Sequence, residues 1–344
     1  MNFASDNTAG VAPEIMAALN RANDGFALGY GNDDVTRRVE KKLAELFKHD
    51  VAVFLVPTGT AANALALAHV TPPWGAVLCH KDAHIAVDEC GAPEFFGGGI
   101  KLIDLPGDNG KISAPTLQAR LGNKAQWGPP HHVTPAAVSI SQATEAGTIY
   151  RVADIRALAD IAHAHGALLH VDGARFGNAL VRLNVSADEM TWKAGVDVLS
   201  FGATKGGAMG AEAVIFFDSK RADGMSARRK RGGALLSKHR FIAAQFEAFL
   251  EDDLWLRLAR HANGMADRLS DGLMQAGFTP QWPVEANEVF VALPAALCDK
   301  LQAAGAVFYR WDADDKGNVV VRLVTSFATT AEEVERFIAL AGNP

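Results

Sequence analysis

The chain has 344 residues, 49% hydrophobic and 21% charged, with 33 basic against 39 acidic side chains and a formal net charge of −6. That apolar content excludes wholesale disorder, the mild acidity has the wrong sign for a nucleic-acid binder, and no apolar run approaches the ~20 residues of a membrane helix. Three widely spaced cysteines (Cys79, Cys90, Cys298) and an amino terminus without a basic-then-apolar leader point to reduced thiols in a cytoplasmic protein.

In chain order, Val35, Val39, Leu43 and Phe47 recur every four residues and predict an amphipathic helix over Val35–His49. Val51–Val56 is an apolar run of strand length, broken by Pro57-Thr58-Gly59-Thr60 and followed by a helical Ala61–His69. Ala76–Cys79, Ile100–Leu105, Ala136–Ser141, Ala167–Val171, Val196–Phe201 and Ala213–Phe217 read as further strands. Between them lie helices at His84–Cys90, at Ser113–Leu121 with the serine as cap, and at Val152–His165 with Gly166 as stop. Continuous apolar strands separated by helices imply α/β architecture with a mostly parallel sheet sandwiched by helices. After Arg231 the texture changes to a long helical stretch, Ala234–Ala276. Strands at Glu288–Leu293, Ala306–Trp311 and Asn318–Thr325 follow, the last bounded by an Asp-Lys-Gly turn, and then a helix at Thr330–Ala341. These boundaries divide the chain into an amino-terminal arm (1–10), a large domain (11–233) and a smaller α+β domain (234–344).

Three places could carry chemistry. Thr58-Gly59-Thr60 sits where a strand turns into a helix, and backbone N–H groups there suit an anion, although an ordinary helix cap has the same pattern. His170-Val171-Asp172-Gly173-Ala174-Arg175 places an acid at the carboxyl end of an apolar strand, where open α/β sheets bind ligands; a structural ion pair is the alternative. Lys205 follows another strand among Gly202, Gly206 and Gly207, as a solvated loop lysine or as a Schiff-base amine. An anion nest, then an aspartate, then a lysine are together the three anchors of pyridoxal 5'-phosphate: phosphate, pyridinium nitrogen and aldehyde. Their order matches the fold type I group of such enzymes.

The resemblance is narrower than that group. Ser5-Asp6-Asn7-Thr8, Tyr30-Gly31-Asn32-Asp33, Pro57-Thr58-Gly59-Thr60, Asp82-Ala83-His84, the His170–Arg175 run, Lys205-Gly206 and Val321-Arg322-Leu323-Val324-Thr325 resemble the low-specificity L-threonine aldolases in order along nearly the whole chain. The resemblance implies retro-aldol cleavage of L-3-hydroxy-α-amino acids to glycine and an aldehyde, in a homotetramer built as a dimer of dimers with active sites at the dimer interface. By resemblance, Lys205 carries the cofactor, Asp172 pairs with its ring nitrogen, and Thr58, Gly59 and Thr60 hold the phosphate with help from Thr204. His84 stacks on the ring and is a candidate base. Ser5, Arg175 and Arg322 contact the substrate carboxylate, a planar group that a guanidinium grips at two points. Tyr30 reaches the site from the partner subunit.

Two stretches depart from the family pattern. Many members carry a histidine in a Glu-Asn-Thr-His stretch, where this chain has Ser141-Gln142-Ala143-Thr144-Glu145. His131 and His132, in the odd Gly122–Pro135 loop, are candidates for a replacement imidazole, or simply surface. The family's Gly-Gly-Gly-Met-Arg stretch, whose arginine assists the phosphate, appears as Gly232-Gly233-Ala234-Leu235-Leu236-Ser237-Lys238, with Lys238 as the candidate substitute. Rival functions are β-elimination or transamination of an L-amino acid on the same scaffold, and non-catalytic binding of an amino acid or cofactor.

Overall fold

A computed structural model describes residues 1–313 and 317–342. Ten strands are present among them: β1 (Ala52–Val56), β2 (Gly75–His80), β3 (Lys101–Leu105), β4 (Thr134–Ser141), β5 (Leu168–Gly173), β6 (Val198–Gly202), β7 (Glu212–Phe216), β8 (Glu288–Leu293), β9 (Tyr309–Ala313) and β10 (Val319–Val324). The first seven form one sheet in the order β1-β7-β6-β5-β4-β2-β3. The pairs β2–β3, β2–β4, β4–β5 and β5–β6 are parallel, and β7 runs against both β6 and β1. β2, β6 and β7 are buried along their whole length, which is why they read as unbroken apolar runs rather than alternations. Because β7 alone is reversed, the carboxyl ends of β1, β2, β4, β5 and β6 open onto one edge.

Helices cover the sheet as their periodicity requires. Asp34–Phe47 buries Val39, Leu43 and Phe47, and Asp33 caps it through Thr36 N–H. Phe201 on β6 lies against Phe47, Phe176, Phe246, Phe249 and Trp255, with ring centroids 5.3–6.4 Å apart. Removing this fully buried ring leaves a cavity among five aromatics. Phe201→Ala should therefore destabilise the chain by about 3–5 kcal/mol, read as a lower urea midpoint with an unchanged slope.

The stretch expected as one helix over Ala234–Ala276 is two, Arg240–Leu250 and Leu254–Gln275. They are separated by Asp252 and Asp253, both with positive φ, a conformation that ends a helix. Helix Arg240–Leu250 packs Ile242, Phe246 and Phe249 into the core of the large sheet. The hydrophobic cores divide within the next helix: Leu254 and Trp255 belong to the large core, Ala266, Leu269 and Leu273 to the small one. Ile242, Phe246, Phe249, Leu254 and Trp255 thus pack with the large sheet, three of them against the aromatic cluster under β6. Phe3 inserts into the small core against Phe337 at 5.2 Å, so the expected amino-terminal arm is docked rather than loose. The small sheet is antiparallel in the order β8-β10-β9. Of the turn expected before Asn318, Asp315 and Lys316 lie outside the described residues.

Candidate functional site

The carboxyl edge of the large sheet gathers most of the residues singled out above. At the end of β1, Thr58 caps the helix Gly59–Val70 by accepting from Ala61 N–H at 3.1 Å. A Cβ on Gly59 would meet nothing within 4 Å, so the first turn faces open space. One turn further along this helix, buried Asn63 donates to Asp172 Oδ2 at 2.7 Å. Asp172 Oδ1 accepts from Ala174 N–H at 3.0 Å. The helix that starts at Thr58 and the carboxylate that ends β5 are therefore joined directly, with a donor on each carboxylate oxygen.

Lys205 sits in the loop leaving β6, the strand beside β5, with Asp172 opposite Ser200 in the register. Gly202 is needed just before it: a Cβ there would lie 2.8 Å from Ala174 Cα and 2.9 Å from Glu212 Oε2. Thr204, expected near a phosphate, donates its hydroxyl to Glu212 and accepts from Ala211 N–H at 3.2 Å. Burial pushes the Glu212 carboxyl up to about 7 even against that hydrogen bond and Lys205. A helix start, a carboxylate and an amine along one edge fit the groups that pyridoxal phosphate requires, and the open space over Gly59 suits its phosphate.

His84 begins a short helix after β2. Its Nδ1 lies 2.8 Å from Glu89 Oε1, which also accepts from Asn63 Nδ2 at 2.8 Å. Glu89 draws the imidazole's pKa upward against the effect of burial. Its backbone N–H donates to Glu145 Oε1 at 2.8 Å, and Ser141 Oγ donates to the same oxygen at 2.6 Å. Below Asp172 on β5, His170 is buried between Ser139 Oγ and Ser200 Oγ, each 2.9 Å away.

Burial lowers the His170 pKa to about 4 from 6.5. The unfolded chain therefore binds a proton below pH 6.5 that the native chain refuses, and stability falls as pH drops from about 6.5 towards 4. Replacing this histidine by glutamine should flatten that fall by up to about 3 kcal/mol. Parallel urea titrations at pH 7 and pH 4.5 would measure it.

Arg175 is locked. Its Nε and Nη2 donate to Asp6 at 2.7 and 3.1 Å, and Nη1 lies 3.1 Å from Glu288 Oε2. All three side chains are buried. Burial favours the neutral Asp6 carboxyl, but Arg175 and Lys205 outweigh it and hold its pKa below the ordinary value. Asn287 donates to the same Asp6 at 3.0 Å. The ion pair considered for Arg175 thus runs to Asp6 and Glu288, not to Asp172. Arg322 is the freer cation: its Nη2 reaches Ala4 O at 3.4 Å, its buried Nε has no hydrogen-bond partner, and its guanidinium lies over the rings of Trp311 and Tyr309. Ser5 caps the turn next to Asp6. Ser5, Arg175 and Arg322 are therefore brought together around the docked amino terminus.

Other expected residues stand apart. His131 and His132 are exposed at the amino end of β4, whereas the site lies past its carboxyl end at Ser141. Eight strand residues separate the two ends, roughly 25 Å at ~3.3 Å each, so these histidines are not the replacement imidazole within this chain. Lys238 is exposed in the segment where Ser237 O accepts from Tyr30 N–H at 3.0 Å. Tyr30 is itself half-exposed, with Lys230 Nζ 4.5 Å from its ring centre. Residues that sequence reasoning did not assign to the site include Asn63, Glu89, Glu212 and Glu288. Asn63 carried a weak signal as the one polar residue inside the Ala/Leu-rich run; the buried glutamates show their role only through their partners.

Residues 2–296 match the family model for beta-eliminating lyases. A low-specificity L-threonine aldolase of Pseudomonas aeruginosa is 41% identical over 333 residues, covering 96% of this chain and 94% of that protein. Another, from Pseudomonas sp. strain NCIMB 10558, is 42% identical over 308 residues, covering 89% and 88%. Among solved structures, Leishmania major threonine aldolase superposes with a TM-score of 0.93 at 29% identity, covering 99% of this chain and 98% of that one. Sphingomonas wittichii serine palmitoyltransferase, at 16% identity and a TM-score of 0.74, shares the fold type I architecture. With nearly its full length matched and the site's carboxylate, lysine and helix start on one sheet edge, this chain belongs to the beta-eliminating lyase family, among the low-specificity L-threonine aldolases.

Proposed function

We propose that this chain cleaves L-3-hydroxy-α-amino acids such as L-threonine, L-allo-threonine or L-phenylserine to glycine and an aldehyde, using pyridoxal phosphate. The observation that carries this is the link from the Thr58–Thr60 helix start through Asn63 to Asp172, with Lys205 leaving the adjacent strand. Thr58, Gly59 and Thr60 would hold the phosphate, Asp172 the ring nitrogen and Lys205 the aldehyde carbon. When bound, the cofactor supplies an electron sink for the pair released at Cα. Arg322, with its unpartnered Nε, grips the substrate carboxylate, and Arg175 shapes the same corner through Asp6. His84, held by Glu89, lies against the ring face. The choice of reaction rests on kinship with the Pseudomonas and Leishmania proteins, since a fold of this type hosts several.

The protein acts in the cytoplasm as an assembly of copies, with Tyr30 reaching a neighbour's site. The loop bearing Phe26, Leu28 and Tyr30 leaves all three exposed, as suits a surface that a second copy covers. Light scattering of the purified chain measures the assembly. The function is tested by offering the holoenzyme a panel of L- and D-3-hydroxy amino acids and quantifying glycine, aldehyde, 2-oxo acid and ammonia together. Glycine and aldehyde in equal amounts from L-isomers are expected. Ammonia with the matching 2-oxo acid, 2-oxobutyrate from threonine, would replace cleavage by elimination.

A further inference from the structure

Retro-aldol cleavage needs a base for the 3-hydroxyl, and His84 already has its Nδ1 engaged by Glu89 at 2.8 Å. The turn after β4 presents another group. Glu145 is partly buried, and one of its oxygens is fully engaged: Oε1 accepts from His84 N–H at 2.8 Å and from Ser141 Oγ at 2.6 Å. Its other oxygen, Oε2, is buried with no hydrogen-bond partner. An unmade hydrogen bond on a buried carboxylate is costly, so its persistence calls for a ligand.

The turn that carries Glu145 is pinned on every side. Gln142 N–H donates to Asp172 O at 2.8 Å and its side-chain amide donates to Tyr150 O at 2.9 Å. Thr144 N–H donates to Thr148 O at 2.9 Å, and Trp282 Nε1 donates to Ala146 O at 2.6 Å. The turn is thus tied to the end of β5 by the Gln142–Asp172 bond and the carboxylate to His84 N–H, and Asp172 and Arg175 both feel its charge.

From this geometry we propose that Glu145 Oε2 receives the proton of the substrate's 3-hydroxyl. The role rests on the cleavage function argued above. In the step, the O–H bond breaks and its proton goes to Oε2. The O–H pair becomes the second bond of the aldehyde carbonyl. The Cα–Cβ bond breaks with its pair left at Cα, which then takes a proton. One proton leaves the hydroxyl and one arrives at Cα, so substrate equals glycine plus aldehyde.

The ionisation of Glu145 fits this work. Burial raises its pKa to about 7, with Ser141 and the His84 N–H pulling down and Asp172 pushing up. The other titratable groups that feel it are Arg175, Cys79 and Tyr150. A base that titrates near the working pH combines availability with driving force.

The test compares two reactions of the chain loaded with pyridoxal phosphate. One is cleavage of its best 3-hydroxy substrate. The other is exchange of the glycine α-proton with deuterated solvent, which uses the same site but has no hydroxyl to deprotonate. Glu145→Gln should lower kcat for cleavage by about 10²–10⁴-fold while glycine exchange stays within a few-fold of wild type. In the wild type, kcat for cleavage should fall on the acid side with a midpoint near 7, a limb that glycine exchange lacks. Cleavage by E145Q at the wild-type rate, or with that limb intact, would overturn the proposal. So would an equal loss of both reactions in a variant that still binds the cofactor. If E145Q does not fold, absence of the limb from the wild-type cleavage profile overturns it alone. A wild-type chain that exchanges glycine but releases no aldehyde from any 3-hydroxy amino acid would instead refute the cleavage function itself.

Discussion

Lys205→Ala should bind pyridoxal phosphate without the visible absorbance of the lysine-linked form, and its kcat/KM for cleavage should fall by roughly three orders of magnitude or more. The loss follows from position. Lys205 leaves β6 beside Asp172 on the sheet edge where β5 and β6 end, and no other lysine is carried by the β6–β7 loop. Gly202 and Gly206 on either side bring neighbouring atoms close: a Cβ on Gly206 would lie 2.9 Å from the Phe249 ring. The loop is therefore fitted against the aromatic core rather than free to re-aim a different amine. Absorbance spectra and steady-state rates of the variant check both halves. Full turnover would remove Lys205 from the site and the cofactor assignment with it.

Asp172→Asn should keep the cofactor but lower kcat by roughly 10²–10³-fold. The substitution preserves shape, and an asparagine can still accept from Asn63 or from Ala174 N–H through its one oxygen, though not from both. What it removes is the negative charge that would keep a ring nitrogen protonated. The surroundings are arranged around that charge: Asn63 donates to one oxygen and a backbone N–H to the other. Equal kcat values for the two proteins, at matched cofactor occupancy, would show that Asp172 only props up the helix start.

Much of this could be read along the chain. Continuous apolar runs at β2, β6 and β7 announced a buried, mostly parallel sheet, because a strand covered on both faces has no polar side to show, and β7 keeps that pattern although it runs antiparallel. Pro57–Thr60, Asp172 and Lys205 are local signals: each lies within a few residues of a strand end, and strand ends are where apolar periodicity stops. The break at Asp252–Asp253 was not legible, since two aspartates in an exposed turn look like the polar face of a continuing helix.

The sequence by itself determined the large fold and singled out the cofactor anchors proposed above, since each depends on residue type at the end of a local element. Only the tertiary structure decided who partners whom. Arg175 is tied to Asp6, 169 positions away, and to Glu288 from the small domain. His84 is backed by Glu89, and the Glu145 oxygen left unpaired is visible only once Ser141, His84 and Trp282 close around its turn. A carboxylate's charge state and free lone pairs are set by burial and by neighbours that folding brings from distant parts of the chain, and no local pattern encodes them.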